Sequence, residues 1–356
     1  MTKPILAATL SISSHRLTDD EKFLLEKSNP VGITLFGRNI KNKSQIKNLI
    51  KELKEVIGRD DILIAVDQEG GRVRRLTPPK FRNYAANIEI ASLSFDDARK
   101  ASQLHGELIS HDLKELGINV NFAPVLDRLH KHTNEALKSR CFSNDVTVIS
   151  SLGKIMVDTY IKNGILPCIK HLPGHGNALS DPHLCLPSIS LNQKEYEEDL
   201  IPFIKNNHSP LAMTAHIVVP FIDAQNPITQ SKTGIQNLIR QKIGFNGFLI
   251  SDAIDMRALK GSVSQKAIKS LDAGCDCVCY AMGKLSELQE LSDNCPKLSD
   301  DAQQRLDKAL QILHNKHKHL NIKHLSDEYS KLLTHITPYQ ESYDATEVLS
   351  KLQSKE

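Results

Sequence analysis

Residues 247–281 read GFLISDAIDMRALKGSVSQKAIKSLDAGCDCVCYA and contain one complete structural unit. The run Gly247–Asp252 is largely apolar, which is typical of a strand that is covered on both faces of a sheet. The amphipathic segment Val263–Ala273 is followed by Gly274, and glycine is common at helix ends. A second strand-like run, Asp276–Ala281, comes next. This order predicts two parallel strands joined by a helix.

The same unit recurs along the chain. Eight strands are predicted, at Pro4–Leu10, Val31–Phe36, Ile62–Asp67, Asn119–Val125, Leu166–His171, Leu211–His216, Gly247–Asp252 and Asp276–Ala281. Helices are predicted between them, at Thr18–Lys27, Lys43–Ile57, Phe95–Leu116, Val146–Lys162, Gln193–Asn206, Thr233–Ile243 and Val263–Ala273. Eight units favour a TIM-like (β/α)8 barrel over an open, doubly wound sheet. We therefore expect an α/β protein, with a barrel over residues 1–283 and a C-terminal helical extension over residues 284–356 that frays at its end.

The composition argues against several classes of protein. The 356 residues include 45 basic and 42 acidic side chains, so the formal net charge of +3 gives no basic footprint for coating nucleic acid. No apolar run approaches the roughly 18 residues that a membrane-spanning helix needs. Trp is absent and aromatic residues make up 5%, which argues against stacking on a long polymer. We expect a monomer with neither a nucleic-acid nor a membrane partner.

The seven cysteines cannot all pair within the chain, because their number is odd. The N-terminal residues lack the long apolar core of a secretory signal. Free thiols in a reducing cytoplasm are the simplest interpretation of both observations. Cys275, Cys277 and Cys279 alternate as residues on one face of a strand do, and we interpret them as small buried side chains in preference to a metal or redox site.

Ionisable residues stand at the ends of five successive predicted strands: Asp67, Asp127, Lys170 with His171, His216 and Asp252. In a parallel barrel the catalytic residues lie at the carboxyl ends of the strands and in the loops that follow. Chance placement would scatter such residues over the helix surfaces instead. Their positions therefore predict a catalytic pocket at this end of the barrel.

The loop after the fifth strand holds four side chains of the types used in catalysis and in metal binding: His171, His175, Asp181 and His183. Three interpretations stay open from the residues alone. Histidine and aspartate are common zinc ligands. Asp181 and His183 are two residues apart, close enough for the carboxylate to orient and charge the imidazole as an acid/base pair. The third interpretation is a polar loop with surface histidines.

Two other segments carry acidic residues near strand ends. An apolar strand delivers Asp252 to the mouth of the barrel, where a carboxylate can be a nucleophile, a base or a metal ligand. Asp255 lies three residues later and can equally cap a helix, so we favour Asp252 as the chemical residue.

After Asp67 the pair Gly70-Gly71 allows a tight turn. The acid and the arginines up to Arg75 can hydrogen-bond a polyol or an acyl group, or form a solvated basic patch.

Five motifs together resemble glycoside hydrolase family 3, and within it the bacterial β-N-acetylhexosaminidases of peptidoglycan recycling. They are AVDQEGGRV at 65–73, NFAPVLD at 121–127, KHLPGHG at 170–176 with DPH at 181–183, MTAH at 213–216 and SDAIDM at 251–256. The resemblance runs in order from about Ile5 to Met282. The chain is too short for the extra sandwich domain of larger members, which points to the short bacterial type and away from multidomain β-glucosidases.

The resemblance implies a retaining glycosidase that removes terminal, non-reducing β-linked N-acetylglucosamine from small soluble glycosides, with no metal or other cofactor. It assigns the nucleophile to Asp252 and the acid/base to His183, supported by Asp181. It also assigns the binding of the terminal sugar to five residues: Asp67, Arg75, Arg140, Lys170 and His171. Three competing hypotheses remain: a β-glucosidase of the same family, a metal-dependent hydrolase built on the loop from 171 to 183, and a sugar-binding barrel without activity.

Overall fold

The computed structural model describes residues 3–178, 185–314 and 320–337. Eight parallel strands close into a barrel in chain order, which confirms the predicted fold. The strands are β1 (Leu6–Leu10), β2 (Pro30–Leu35), β3 (Leu63–Val66), β4 (Val120–Asn121), β5 (Leu166–Leu172), β6 (Leu211–Thr214), β7 (Phe248–Ala253) and β8 (Cys277–Cys279). Ala8 of β1 lies opposite Val278 of β8, so the sheet closes on itself.

Helices surround the strands, and several of them begin and end at residues that favour helix termini. They are α1 (Asp19–Ser28), α2 (Lys43–Ile57), α3 (Asn87–Ala91), α4 (Phe95–Leu116), α5 (Glu135–Lys138), α6 (Val146–Lys162), α7 (Gln193–Lys205), α8 (Val263–Ala273), α9 (Leu285–Asn294), α10 (Asp300–Leu310) and α11 (Ile322–Leu332). Thr18 caps α1 by accepting from the backbone N–H of Glu21. Gly117 and Gly274 end α4 and α8 in the left-handed conformation. The segment Gly234–Lys242 winds as a π-helix.

The fourth strand is shorter than predicted. The sequence pattern covers Asn119–Val125, but regular strand geometry is limited to Val120–Asn121. Pro124 has no N–H to donate to the sheet, which interrupts the regular ladder. Beyond it the chain still follows β5, because the backbone N–H of Leu126 donates to the carbonyl oxygen of Lys170 at 2.8 Å. This pairing places Asp127 beside the carboxyl end of β5.

The helices after β8 pack against the barrel. α10 covers its amino-terminal end and joins the same buried cluster as Leu63 and Phe248 through three apolar side chains: Ala302, Leu306 and Ala309. Arg305 of α10 pairs with Asp276, just before β8, at 2.7 Å. α11 packs against α4. The predicted fraying towards the C-terminus concerns residues 338–356, which lie outside the described part of the chain.

Cys277 and Cys279 of β8, and Cys275 two residues before the strand, are small buried side chains, as interpreted from their alternation. Cys275, Cys277 and Cys279 are buried free thiols. Burial raises the pKa of Cys275 and of Cys279 to about 12 and holds that of Cys277 well above its usual value, so the thiols keep their protons at neutral pH. Among the helices that the structure describes, none combines the length and the hydrophobicity that crossing a bilayer requires.

Candidate active site

Charged residues predicted at the strand ends converge at the carboxyl-terminal end of the barrel. Asp67 follows β3 directly, Lys170 and His171 belong to β5, and Asp252 belongs to β7. The Lys170 ammonium bridges two carboxylates, with Nζ 2.8 Å from Oδ1 of Asp67 and 2.6 Å from Oε1 of Glu69. Only 2% of the Lys170 side chain is exposed, so this ion cluster is largely withdrawn from water.

Arg75 holds Asp67 from the other side. Its Nη2 atom lies 3.1 Å from Oδ2 of Asp67, and its guanidinium lies over the Phe36 ring at 5.5 Å from the centroid. Such a distance allows a cation–π contact, which restrains the guanidinium further. The chain reverses between the two residues at Gly70, whose φ is +103°. A Cβ there would lie 2.2 Å from the carbonyl oxygen of Ala85, so the turn requires glycine.

Glu69 connects the cluster to Arg140, and sequence reasoning did not assign it to the site. The Arg140 guanidinium donates to both Glu69 oxygens, from Nε at 2.8 Å and from Nη2 at 2.7 Å. Such two-pronged pairs fix the plane of both groups. The signal for Glu69 was its place in the same motif, two residues after Asp67. The structure thus brings Asp67, Arg75, Arg140 and Lys170 together, as the resemblance implied.

In this cluster, ion pairing has a larger effect on the pKa values than burial has. Burial would raise the pKa of Asp67, but Lys170 and Arg75 hold it below its usual range. Burial would likewise raise the pKa of Glu69, but Arg140 and Lys170 lower it. Burial would lower the pKa of Lys170, whereas Asp67 and Glu69 raise it. All these groups are therefore charged at neutral pH, and ion pairing holds their hydrogen-bonding atoms in fixed positions.

Asp127, noted in the sequence only as a strand-end acid, anchors the beginning of the histidine loop. Its Oδ2 accepts from Nδ1 of His171 at 2.7 Å, and its Oδ1 accepts from the backbone N–H of His175 at 2.6 Å. Burial would raise the pKa of Asp127, but His171 and His175 hold it below its usual value. With the His171 proton directed at Asp127, Nε2 of His171 can accept from Arg140, whose Nη2 lies 3.4 Å away.

Asp252 stands half-buried at the end of β7. Its Oδ1 accepts from the backbone N–H of Ala253 at 2.8 Å, and the carbonyl oxygen of Ala253 lies 3.0 Å from Nε2 of His216. Burial lowers the pKa of His175 to about 4, and the Asp252 charge opposes this shift. Asp252 is therefore close enough to the histidine loop to act on it electrostatically.

Asp255 has a different environment, and its expected alternative role as a helix cap is wrong. Ser262 caps α8, because its side chain accepts from the backbone N–H of Gln265. The Asp255 carboxyl is buried and accepts from the backbone N–H of Ala281 at 2.8 Å. Burial raises its pKa to about 6. Asp255 thus ties the loop after β7 to the segment that follows β8, whereas Asp252 stands at the mouth.

The predicted acid/base pair, Asp181 and His183, lies outside the described residues. The hypothetical metal site includes both of these residues together with His171 and His175, so it stays a hypothesis. In residues 3–178, 185–314 and 320–337, no three histidine, cysteine, aspartate or glutamate side chains form a group that could hold a metal ion.

Sequence comparisons give a consistent result across most of the chain. The model of the glycosyl hydrolase family 3 N-terminal domain matches residues 6–315. A beta-hexosaminidase of Mannheimia succiniciproducens is 34% identical over 278 residues, which cover 75% of this chain and 78% of that protein. A beta-hexosaminidase of Neisseria gonorrhoeae is 33% identical over 297 residues, which cover 81% of each protein.

A solved structure with the same architecture is NagZ from Neisseria gonorrhoeae in complex with N-trifluoroacetyl-D-glucosamine. It superposes with a TM-score of 0.81 at 29% identity, covering 92% of this chain and 98% of that chain. A beta-N-acetylhexosaminidase from Beutenbergia cavernae superposes with a TM-score of 0.72 at 20% identity, which shows a shared fold.

Proposed function

This chain belongs to glycoside hydrolase family 3 and is a β-N-acetylhexosaminidase, and from that premise we propose that it is a retaining enzyme whose nucleophile is Asp252. The observation that carries the proposal is the position of Asp252. It stands half-buried at the end of β7, at the same barrel end as the ion cluster around Lys170 and within electrostatic reach of His175. A carboxylate in this position can attack the anomeric carbon of a sugar that the cluster holds.

The proposed reaction has two displacement steps. In the first, the Asp252 carboxylate bonds to the anomeric carbon while a proton passes to the glycosidic oxygen of the leaving group. In the second, water replaces Asp252 and gives up its proton to the same acid/base group. We assign that group to His183, oriented by Asp181. An imidazole has an unperturbed pKa of about 6.5, so both of its forms are accessible near neutral pH. The imidazolium, stabilised by Asp181, would give its proton to the leaving group in the first step, and the neutral imidazole would take the proton of water in the second.

We assign the recognition of the terminal sugar to the five residues named by the resemblance: Asp67, Arg75, Arg140, Lys170 and His171. Their paired charges leave several oriented donors and acceptors at the mouth, and sugar hydroxyls can bind to both kinds of group. The substrate would be a soluble fragment of peptidoglycan with N-acetylglucosamine at its non-reducing end, cleaved by a monomer in the cytoplasm. The N-trifluoroacetyl-D-glucosamine in the related gonococcal structure supports this choice of sugar.

The nucleophile is tested with a 5-fluoro glycosyl fluoride of N-acetylglucosamine, which slows hydrolysis of the glycosyl-enzyme and keeps the acetamido group. Intact-mass measurement should show one added glycosyl unit, and peptide mapping should place it on Asp252. The Asp252→Asn variant should not be labelled and should lose turnover of an aryl β-N-acetylglucosaminide by about a thousandfold or more, because the attacking charge is gone.

Asp255→Asn is the matched control, because Asp255 is a buried acid only three residues away and accepts from the backbone N–H of Ala281, which follows β8. This variant should be labelled as the unchanged enzyme is. A label on any residue other than Asp252 would overturn the assignment. Faster turnover of the aryl β-glucoside than of the aryl β-N-acetylglucosaminide would overturn the assigned sugar.

A further inference from the structure

A side chain of α11, Tyr329, is linked through His105 to the turn at Gly70, next to the ion cluster. Tyr329 is the buried residue of α11, and its hydroxyl lies 2.8 Å from Nδ1 of His105 in α4. On the other side of the same ring, Nε2 of His105 lies 3.0 Å from the backbone carbonyl oxygen of Glu69. One imidazole therefore joins the C-terminal helix to the residue that holds Arg140 and Lys170.

The chemistry of the partners fixes the direction of each hydrogen bond. The carbonyl oxygen of Glu69 can only accept, so Nε2 of His105 carries a proton and donates it. Burial lowers the pKa of His105 to about 4, so the ring is neutral and Nδ1 accepts. Tyr329 is then the donor to Nδ1, and burial raises its pKa, so that it keeps this proton. Its oxygen accepts in turn from the backbone N–H of Ala85 at 3.2 Å.

Tyr329 and His105 also support the turn at Gly70 from the side away from the ion cluster. The segment at Tyr84 and Ala85 lies against this turn, because the backbone N–H of Gly71 donates to the carbonyl oxygen of Tyr84 at 2.9 Å. A Cβ at Gly70 would lie 3.0 Å from Cε1 of His105, which shows how closely the ring packs on the turn. The Tyr329 hydroxyl thus connects both segments that enclose the turn.

We propose that Tyr329 is a positioning residue for the terminal-sugar site: acting through His105, it fixes the backbone of Glu69 and thereby the geometry in which Glu69 holds Arg140 and Lys170. The inference rests on the proposed function, because it takes this cluster as the sugar site. Tyr329 itself stays behind the turn. Its loss therefore weakens the binding of the sugar and leaves the chemical step at Asp252 intact.

The test is Tyr329→Phe in the full chain, which removes the hydroxyl and keeps the packed ring. A buried acceptor without its donor is costly, so we expect KM for an aryl β-N-acetylglucosaminide and the inhibition constant of free N-acetylglucosamine to rise about three- to tenfold, with kcat changed by less than about twofold. The matched control is Ser326→Ala. It removes another α11 hydroxyl, which accepts from Arg82 at 2.5 Å, and should leave KM and the inhibition constant unchanged.

A second measurement separates this inference from the proposed function. Hydrogen–deuterium exchange of peptides that cover residues 67–76 should accelerate in Tyr329→Phe and stay unchanged in Ser326→Ala, whatever the substrate is. In a His105→Leu background, adding Tyr329→Phe should raise KM and exchange by less than it does in the unchanged protein, because only the hydrogen bond from Ala85 is then left to lose. Unchanged KM and exchange in Tyr329→Phe, or equal effects of both α11 variants, would overturn the positioning role. A wild-type protein that neither cleaves the aryl glycoside nor binds N-acetylglucosamine would overturn the proposed function, and the exchange data would still decide the role of Tyr329.

Discussion

Glu69, like Asp67, faces two cations, but its side chain is more deeply buried, with 2% exposed against 15% for Asp67. Replacing Glu69 by Gln keeps the shape of the side chain and removes the charge that compensates Lys170 and Arg140. Removing one partner of a buried ion pair costs about 3–5 kcal/mol, so Glu69→Gln should lower the free energy of unfolding by about that amount. Urea denaturation at pH 7 measures this loss.

A surface acid provides the comparison for Glu69. Glu135 pairs with Lys138 in α5, with 82% of the Glu135 side chain exposed. Exposed pairs contribute about 0–1 kcal/mol, so Glu135→Gln should leave the unfolding midpoint almost unchanged. Equal stability of Glu69→Gln and Glu135→Gln would show that the cluster does not depend on the Glu69 charge.

At the scale of the element, α10 behaves as part of the barrel interior. Leu306 is 2% exposed and belongs to the cluster that fills the inside of the barrel. Leu306→Ala should therefore lower the free energy of unfolding by about 2–5 kcal/mol, since the substitution leaves a cavity among packed side chains. Lys308→Ala, on the exposed side of the same helix, should change it by less than about 0.5 kcal/mol. Thermal and urea unfolding measure both variants. An equal loss of unfolding free energy in Leu306→Ala and Lys308→Ala would contradict the packing role of Leu306.

The strands and helices could be predicted from the sequence because their signals are local. The apolar run of β7 and the glycine after α8 each specify an element without reference to distant residues. The roles of Glu69 and Tyr329 could not be predicted, because they arise from contacts between segments far apart in the chain. Tyr329 lies 224 residues from the histidine that it bonds, beyond every motif that the resemblance used. Pro124 shows a third case: its missing N–H was visible in the sequence, but the run around it still had the composition of a strand.

At the scale of the whole molecule, the buried histidines predict sensitivity to acid. The folded protein holds His105 and His175 with pKa values of about 4, below the usual value of about 6.5. The unfolded chain therefore binds their protons first, and the stability that is present above pH 6.5 is lost as the pH falls towards 4. Asp255 acts in the opposite direction, since its pKa of about 6 lets the folded state take up a proton first. The two histidines together outweigh Asp255. At about 1.4 kcal/mol per pKa unit, the free energy of unfolding should therefore fall by a few kcal/mol.

Urea denaturation at a series of pH values between 7 and 4 measures this loss. His175→Asn should make the decline shallower, because one of the two proton-linked groups is gone. His324→Asn, at an exposed position of α11, should leave the slope unchanged. A stability that stays constant over this range would contradict the prediction that both rings are neutral in the folded protein.

The division of the chain at residues 283 and 284 stays a prediction. The packing of α10 and the contact of Tyr329 with His105 show that helices after residue 284 contribute to both ends of the barrel. Length and composition could not reveal this, because they do not show which surface the apolar stripe of a helix contacts.

Because α10 covers the base of the barrel, it affects the order in which the product leaves and water reaches the site. Apolar side chains fill the inside of the barrel and α10 lies beneath them, so in the proposed reaction substrate and products would pass through the mouth. The released aglycone and the incoming water would then use the same opening, so the aglycone would have to leave before water reaches the site. In the proposed two-step reaction the sugar would stay bonded to Asp252 while the aglycone leaves through the mouth and water enters by the same route.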